Sequence, residues 1–437
     1  MRKEIAHDDE DPRGDSMLMK FRGIAPRSMR ALPDRIGRLR CIALASLMLI
    51  GLQGEAVAIT RDAPKPPPSA PATADAFADP VALLRAGRFA ELDARMSAVQ
   101  ADWRRGRIDD LALLAAFRPF GDEDPALAAQ YDAWVKAFPK SYVARLTQGE
   151  YEVHVGREAR GGEVAASTPG SRFEAMDAAN TRATQALRAS LALDERPLLS
   201  YSLLIDMTRH HGDEDYARSL LDAGLRLDPH GYILRLRYMT TLQTRWGGSV
   251  RAMQSFLAEC RSAKLEDAKL RTLEALVERD RGWVADNAGN LEEAERHDLA
   301  AVELAGDGRF LDKATYSTLF DTAGYEEERL KRLDRAVPLF ARSIAVLPDS
   351  GWAWRHLGFC QAKLGLAAES AQAYRRGAEL GDAYSQNEWG KLLWFGIAPV
   401  KADRTAAIPW FEKAAASGLP DAINNLAWAR KLLATPR

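Results

Sequence analysis

The densest group of metal-ligating residue types in this sequence lies within six positions: His210, His211, Asp213 and Asp215. Imidazole and carboxylate groups bind divalent cations, so these four side chains are candidate ligands. Neighbouring residues on a helix point about 100° apart, so the two imidazoles converge only if the chain folds back on itself. We therefore predict a solvated turn between two helices here, and no metal site.

Common catalytic and nucleotide-binding motifs are absent from the 437 residues. There is no Gly-rich phosphate loop ending in Lys-Ser or Lys-Thr, no His-Glu-x-x-His, no Gly-x-Ser-x-Gly and no Cys-x-x-Cys. The three cysteines, Cys41, Cys260 and Cys360, are too few for a disulfide framework. Cys260 and Cys360 fall in helical patterns, which predicts buried free thiols; a disulfide between them is the alternative. The sequence predicts no cofactor and no catalysis.

The segment Arg245-Trp246-Gly247-Gly248-Ser249 allows two interpretations. Two glycines before a helix expose backbone N–H groups at its N-terminus, where an anion is favoured. The structural interpretation is that Trp246 anchors two helices, Gly247 takes the left-handed conformation past a helix end, and Ser249 caps the next helix.

Composition indicates a helical protein that does not bind nucleic acid. Hydrophobic residues make up 47% of the chain, and Lys and Arg total 60 against 61 Asp and Glu, so there is no basic excess for phosphate neutralisation. Alanine is abundant, while Gly and Pro separate segments with helical periodicity. The predicted fold is all-α, an α-solenoid of antiparallel helix pairs.

The N-terminal region is predicted to direct export. Arg35, Arg38 and Arg40 precede the apolar run Cys41–Ile50, and Ala56-Val57-Ala58 is a small-residue cleavage site, so residues 1–58 are typical of a signal peptide cut after Ala58. Met29 is an alternative start, and an uncleaved membrane anchor is the alternative function. Residues 59–78 are rich in Pro and Ala, which predicts a disordered linker. The folded region is then expected to begin at Asp79.

The C-terminal third carries a repeat of 34 positions. Its landmarks are Phe320, Gly324, Ala336, Phe340 and Pro348, followed by Trp354, Leu357, Gly358, Tyr374 and Leu380. This pattern resembles tetratricopeptide repeats, which are stacked helical hairpins. The last unit, Gly381 to Gly418, resembles a Sel-one-like repeat, and Ala422–Leu433 is predicted to be the terminal cap helix. Pro338 inside a second helix predicts a kink or a late helix start at Ala336.

A second resemblance precedes these repeats. The segments that carry it are Ala159–Gly162, Leu227–Pro229, Arg237–Met239 and Arg245–Ser249. They resemble a bacterial domain-of-unknown-function family with an Arg-Trp-Gly-Gly-Ser core, over about residues 80–265. The family implies a helical domain and brings no known activity. The predicted domains are therefore 79–265, a connecting hairpin at 266–311, and the tetratricopeptide and Sel-one-like repeats at 312–437.

The tetratricopeptide resemblance also implies a binding surface. In that family the first helix of each pair lines the concave face, and the landmarks place six residues there: Trp352, Arg355, Phe359, Asn387, Lys391 and Trp394. Cations beside aromatic faces can hold an acidic side chain or a C-terminal carboxylate. The alternative is that the rings fill the core between repeats and that Arg355 and Lys391 are only solvated.

Together these features predict a non-catalytic protein- or peptide-binding scaffold, exported to the periplasm of the bacterial cell envelope, whose partner is unknown. One alternative is a periplasmic enzyme with an unrecognised site in the central helical domain, near the loop from Arg160 to Arg172 or the turn at His210. Another is a scaffold tethered to the inner membrane through residues 41–58.

Overall fold

Helices form the regular structure in the part of the chain that the computed structural model describes, residues 79–121, 124–161, 168–209 and 213–434. Those residues contain nineteen α-helices and no β-strand, which confirms the predicted all-α class. The predicted signal peptide and linker, residues 1–78, lie outside the described residues.

The helices are bounded as follows. The first ten are α1 Pro80–Arg85, α2 Phe89–Arg104, α3 Asp110–Phe117, α4 Ala128–Ala137, α5 Tyr142–Arg160, α6 Gly170–Ser190, α7 Leu198–Thr208, α8 Glu214–Leu227, α9 Tyr232–Thr241 and α10 Val250–Ser262. The remaining nine are α11 Asp267–Asn287, α12 Leu291–Ala305, α13 Lys313–Arg329, α14 Leu333–Val346, α15 Gly351–Lys363, α16 Ala367–Glu379, α17 Ala383–Phe395, α18 Arg404–Ala416 and α19 Pro420–Ala434. Helix α19 contains the predicted cap helix.

Many helices begin at a side chain that caps them, because a Ser or Asp oxygen can accept an otherwise unpaired N–H of the first turn. The predicted cap Ser249 accepts a hydrogen bond from the N–H of Ala252 at 3.1 Å, and Asp124 accepts one from the N–H of Ala126 at 3.0 Å. The same arrangement begins further helices at Asp109, Ser141, Asp213, Asp312, Ser350, Asp382 and Asp403. Local sequence therefore places many of the helix starts.

Consecutive helices pack as pairs, most extensively α5 with α6, α11 with α12, α13 with α14, α15 with α16 and α17 with α18. The first helices also contact one another, in the rows α5–α7–α9–α11 and α13–α15–α17, whereas the second helices of the pairs make no comparable contacts with each other. First helices that lie closer together than second helices line the inner side of a curved stack. The predicted α-solenoid is confirmed.

Within the C-terminal pairs, a glycine of the first helix lies against a ring of the second. A Cβ added at Gly324 would lie 3.0 Å from Cε1 of Phe340, and one added at Gly358 would lie 3.0 Å from Cδ1 of Tyr374. A Cβ at Gly390 would lie 2.8 Å from Cε1 of Phe411. These distances are shorter than ordinary van der Waals contact, so glycine at these positions lets the two helices approach closely.

The apolar core is continuous through the N-terminal part of the stack and divided in the C-terminal part. One cluster of buried side chains runs from Val81 to Phe320, and smaller clusters lie around Phe340 and around Phe411. Cys260 and Cys360 are buried free thiols, which confirms that prediction. The first cluster crosses residue 265, and the predicted domain boundaries at 265 and 311 stay predictions.

Two further sequence predictions concern prolines and membranes. Helix α14 begins at Leu333, before Pro338, so the late start at Ala336 is wrong. The helix buries Ala336 and Phe340, and this packing outweighs the one lost hydrogen bond. Among the described residues, no helix combines the length and apolarity needed to span a bilayer. The predicted anchor segment, residues 41–58, lies outside the described residues.

The turn before α10 depends on two glycines for different reasons. Gly247 has φ of 90°, in the left-handed region. Gly248 has no room for a side chain, because a Cβ there would overlap the backbone of Leu242, whose carbonyl accepts the N–H of Ser249 at 3.0 Å. The predicted turn and cap at Gly247 and Ser249 are confirmed.

We expect Gly247→Ala to lower the free energy of unfolding by about 1–2 kcal/mol, and Gly248→Ala to lower it further, since the added methyl group forces the turn open. The control is Gly170→Ala, because a Cβ at Gly170 would meet no atom within 4 Å. Urea unfolding followed by circular dichroism measures all three. Equal stability of the Gly248 and Gly170 variants would contradict this account of the turn.

Candidate functional site

The predicted C-terminal groove has Arg355 of α15 at its centre. The Arg355 guanidinium carbon lies 5.9 Å from the ring centroid of Trp352 and 5.8 Å from that of Tyr384 on α17. Its Nη1 lies 3.9 Å from Oδ2 of Asp382, and its Nη2 lies 2.9 Å from Nε2 of His356. Arg355 is therefore a partly exposed cation on the inner face. Its contacts with Asp382 and His356 fix its position between the aromatic rings.

The other predicted groove residues differ in accessibility. Trp394 is 1% exposed and packs in the core beside Trp428, and Asn387 is 2% exposed and accepts a hydrogen bond from Asn425 at 2.9 Å. Phe359 packs partly buried against the Phe340 cluster, and Lys391 pairs with Glu388 at 2.8 Å. Trp394 therefore fills the core, as the alternative to a binding role states, and Asn387 is likewise buried, because α19 covers both side chains. A binding role for the six residues stays a prediction.

A second group of cations lies along the first helices of the N-terminal part of the stack and the turns that follow them. We define the arginine cluster as five side chains from α5, α7, α9, the turn before α10, and α11: Arg157, Arg209, Arg237, Arg245 and Arg279. The guanidinium groups are close enough to influence one another electrostatically: Arg157 and Arg237 act on Arg209, and Arg209 and Arg279 act on Arg245. Only Arg245 of these five is among the candidate residues predicted from sequence.

Asp206 joins two members of the arginine cluster. Its Oδ2 lies 2.7 Å from Nη2 of Arg157, and its Oδ1 lies 2.7 Å from Nη2 of Arg209. Asp206 is 3% exposed. Burial lowers the pKa of Arg209, an effect opposed by Asp206 and reinforced by Arg237 and Arg157. One buried carboxylate therefore holds two guanidinium groups that would otherwise repel each other.

The predicted segment Arg245–Ser249 places an indole beside the arginine cluster. The guanidinium carbons of Arg209 and Arg245 lie 5.4 Å and 5.3 Å from the ring centroid of Trp246, within cation–π range. Asp280 of α11 fixes the turn, because its carboxylate accepts hydrogen bonds from both the N–H and the hydroxyl group of Thr244, the latter at 2.6 Å. Thus Trp246 contacts arginines from two separate elements, as well as ending its own turn.

Two buried carboxyl groups near the arginine cluster, Glu150 and Asp298, are mainly uncharged at neutral pH. Burial raises the pKa of Glu150 to about 8, against the opposing effect of Arg237 and Arg157. Burial and then Glu326 raise the pKa of Asp298 to about 8. Of the other carboxyl groups, Asp206 and Asp280 are engaged by hydrogen bonds. Asp286 and Glu326, which line the cavity beside Arg245 and Arg279, pair with Arg329. The cluster carries an excess of positive charge.

Asp298 occupies the position that an aromatic ring fills in the later pairs. Gly282 of α11 precedes Asp298 of α12 by 16 residues, the same separation as Gly324 from Phe340 and Gly358 from Tyr374. A Cβ at Gly282 would lie 2.8 Å from Cγ of Asp298. No aromatic ring fills this space in the pair α11 and α12. Instead there is a cavity of about 100 Å³, and its lining includes Arg245, Arg279 and Asp298. A carboxyl group in place of the ring leaves polar space beside the arginine cluster.

The predicted turn at His210 lies partly outside the described residues, which exclude His210 and His211. Asp213 caps α8 by accepting a hydrogen bond from the N–H of Tyr216 at 3.0 Å, and Asp215 is in the first turn of that helix. Within residues 79–434, apart from the gaps given above, no group of three His, Cys, Asp or Glu side chains could hold a metal ion.

Sequence reasoning missed the arginine cluster because its members are far apart in the chain. Arg157 and Arg279 are 122 positions apart, and each alone is an ordinary charged residue on an amphipathic helix. The sequence did contain one signal. Sixteen residues after Gly282, at the position where the later repeats have an aromatic ring, the residue is Asp298.

Part of the chain matches a known family. Residues 76–224 match the family described as a domain of unknown function, DUF4034. This supports the predicted domain-of-unknown-function resemblance for part of the range 80–265. The match ends before Arg245, so the Arg-Trp-Gly-Gly-Ser signature stays a prediction, as do the Sel-one-like repeats. No curated protein matches the sequence.

Solved structures resemble the fold. PilF of Pseudomonas aeruginosa is 18% identical, with 52% of this chain and 96% of that chain covered and a TM-score of 0.37. YrrB, a tetratricopeptide-repeat protein with an unusual peptide-binding site, is 14% identical, with 45% and 93% covered and a TM-score of 0.26. Human IFIT1, solved as a dimer with m7Gppp-AAAA, is 13% identical, with 82% and 81% covered and a TM-score of 0.45. The likeness concerns the fold alone.

The buried carboxyl of Asp298 makes stability depend on pH. Its pKa rises from an ordinary 3.8 to about 8 on folding, so above pH 4 the unfolded chain releases a proton that the folded chain keeps. The stability present below pH 4 is therefore lost progressively as the pH rises to about 8.

We expect Asp298→Asn, which keeps the size of the side chain, to reduce this loss by roughly 1–3 kcal/mol between pH 5 and pH 8. Urea unfolding at the two pH values measures the difference. The exposed Asp267 on α11 provides the control, since Asp267→Asn should leave the pH dependence of the wild type unchanged. Identical pH dependence in the wild type and the Asp298 variant would contradict the burial of a protonated carboxyl.

Proposed function

We propose that this protein is a non-catalytic scaffold that binds a partner protein or peptide on the inner face of its helical solenoid. The observation that carries the proposal is that the first helices contact one another and present cations beside aromatic rings on that one face. Arg355 lies near Trp352 and Tyr384, and Arg245, in the turn that follows the first helix α9, lies near Trp246. Rigid helices thus support accessible groups that are suited to recognising a polypeptide.

The chemistry of these groups favours binding over catalysis. Arginine side chains stay protonated near neutral pH, so they act as donors and cations and not as general bases. Burial raises the pKa of the Cys260 thiol to about 12, which supports an inert packing role. Burial and then Glu328 raise the pKa of the Cys360 thiol as well. The two thiols therefore support no nucleophilic mechanism.

We place the protein in the periplasm of the bacterial cell envelope. The proposal is supported by the signal-peptide pattern of residues 1–58 and by the Pro-rich segment that follows it. The folded stack would then be released from the membrane, with residues 59–78 as its N-terminal extension.

Export predicts a specific mature N-terminus. When the full chain is produced in a bacterium, N-terminal sequencing of the purified protein should begin at Ile59. A start at Met1 or Met29, with the protein in the membrane fraction, would instead identify residues 41–58 as an anchor and overturn cleavage.

Peptide binding is tested at Arg355. Peptides selected from a random library on the full chain should bind about tenfold more weakly to Arg355→Glu, because the reversed charge removes a charge-assisted hydrogen-bond donor from the groove. Arg226→Glu makes the same charge change on an exposed position of the second helix α8 and should bind like the wild type. Fluorescence anisotropy gives the three dissociation constants. Equal binding by wild type and Arg355→Glu would remove this groove from the proposal, and failure to select any peptide would overturn the scaffold.

A further inference from the structure

We propose that the arginine cluster recognises an acidic segment of the partner protein, a short stretch rich in Glu or Asp. This inference rests on the proposed peptide-binding function and adds a second contact site, with a stated chemistry, to the inner face.

The arginine cluster has donors that the fold does not use. The buried Nε groups of Arg237 and Arg279 make no hydrogen bond in the described part of the chain. Neither of these side chains, nor Arg245, forms an ion pair with a described carboxylate, and the Nε of Arg245 donates only to Oε1 of Gln243, at 3.2 Å. Guanidinium groups present planar, paired donors that match a carboxylate. A carboxylate ligand would therefore meet guanidinium groups that have no competing carboxylate partner.

The arginine cluster is also accessible and positioned in advance. Arg157 and Arg245 are exposed, whereas Asp206 fixes Arg157 and Arg209, and Asp280 fixes the turn that carries Arg245. Little side-chain freedom would be lost on binding, which favours affinity. The indole of Trp246 lies among these cations and can contact the methylene groups of a Glu side chain.

The short extent of the positive surface favours an acidic peptide over a nucleic acid. Beyond Arg279, the next first helix, α13, carries Glu326, Glu327 and Glu328, and the adjoining cavity is also lined by Asp286. A nucleic acid, whose charge continues at every phosphate, would extend from the arginine cluster into these acids. A peptide with two to four carboxylates can end before it reaches them.

The interruption of the repeat at Asp298 keeps this region polar. An aromatic ring at that position would fill the cavity beside Arg245 and Arg279, as Phe340 and Tyr374 fill the corresponding space in later pairs. The protein instead holds a buried acid there, which is unfavourable for stability alone. Departures from a folding rule of this kind concentrate at functional sites.

The test uses fluorescein-labelled hexaglutamate and the full chain, with binding followed by fluorescence anisotropy at low ionic strength. Wild type should bind hexaglutamate and not hexaglutamine, and added salt should weaken the binding because the site is partly exposed. Arg245→Glu and Arg237→Gln should each weaken it by about tenfold or more. Circular dichroism verifies that each variant is folded, and Arg245→Glu keeps the test decisive if the partly buried Arg237 variant unfolds.

The matched control is Arg251→Glu, an exposed position on the second helix α10, six residues from Arg245. It should bind hexaglutamate like the wild type.

Equal losses of affinity in the Arg251 and Arg245 variants would overturn the inference, since the electrostatic attraction would then be general. No binding of hexaglutamate, or tighter binding of a labelled single-stranded oligothymidine of twelve nucleotides, would overturn it too. If hexaglutamate does not bind while library peptides still bind through Arg355, only the acidic-segment inference is contradicted, and the proposed scaffold function is not.

Discussion

The close approach of the two helices within each pair is the constraint on which the C-terminal stack depends. It is made by a glycine on the first helix facing a ring on the second, at Gly324 and Phe340, Gly358 and Tyr374, and Gly390 and Phe411. The ring fills the space that a side chain at the glycine would occupy, so each pair packs in one arrangement. Because pairs of one shape stack in one way, the first helices lie side by side and form a continuous inner face.

The pair α11 and α12 keeps the glycine and replaces the ring by Asp298. The protein tolerates the buried acid because burial raises its pKa to about 8, so it remains mainly protonated at neutral pH. The exchange gives up apolar packing and leaves a polar cavity at the point where Arg245 and Arg279 meet. The residue that departs from the repeat thus lies beside the arginine cluster. Stability and the proposed binding function therefore make opposite demands at this position.

Local interactions explain which parts of the fold and site could be predicted. Ser249 caps α10 and Gly247 turns the chain because both effects involve residues within a few positions of each other. The accessibility of the proposed groove residues could be predicted only in part, since Trp394 and Asn387 share the helical spacing of inner-face residues and yet are covered by α19. Periodicity assigns a residue to a face of its own helix, whereas burial depends on which other helix covers that face.

The sequence by itself determined the all-α class, the order of the helices, many of their caps and the repeat that makes them pack in pairs. Those features follow from backbone hydrogen bonding, side-chain shape and apolar spacing within about 40 residues of chain. Only the tertiary structure decided that Arg157, Arg209, Arg237, Arg245 and Arg279 form one cluster, and that Asp206 holds two of them. Electrostatic interaction depends on distance in space, and the stacking of successive pairs brings together charges that lie up to 122 positions apart in the chain.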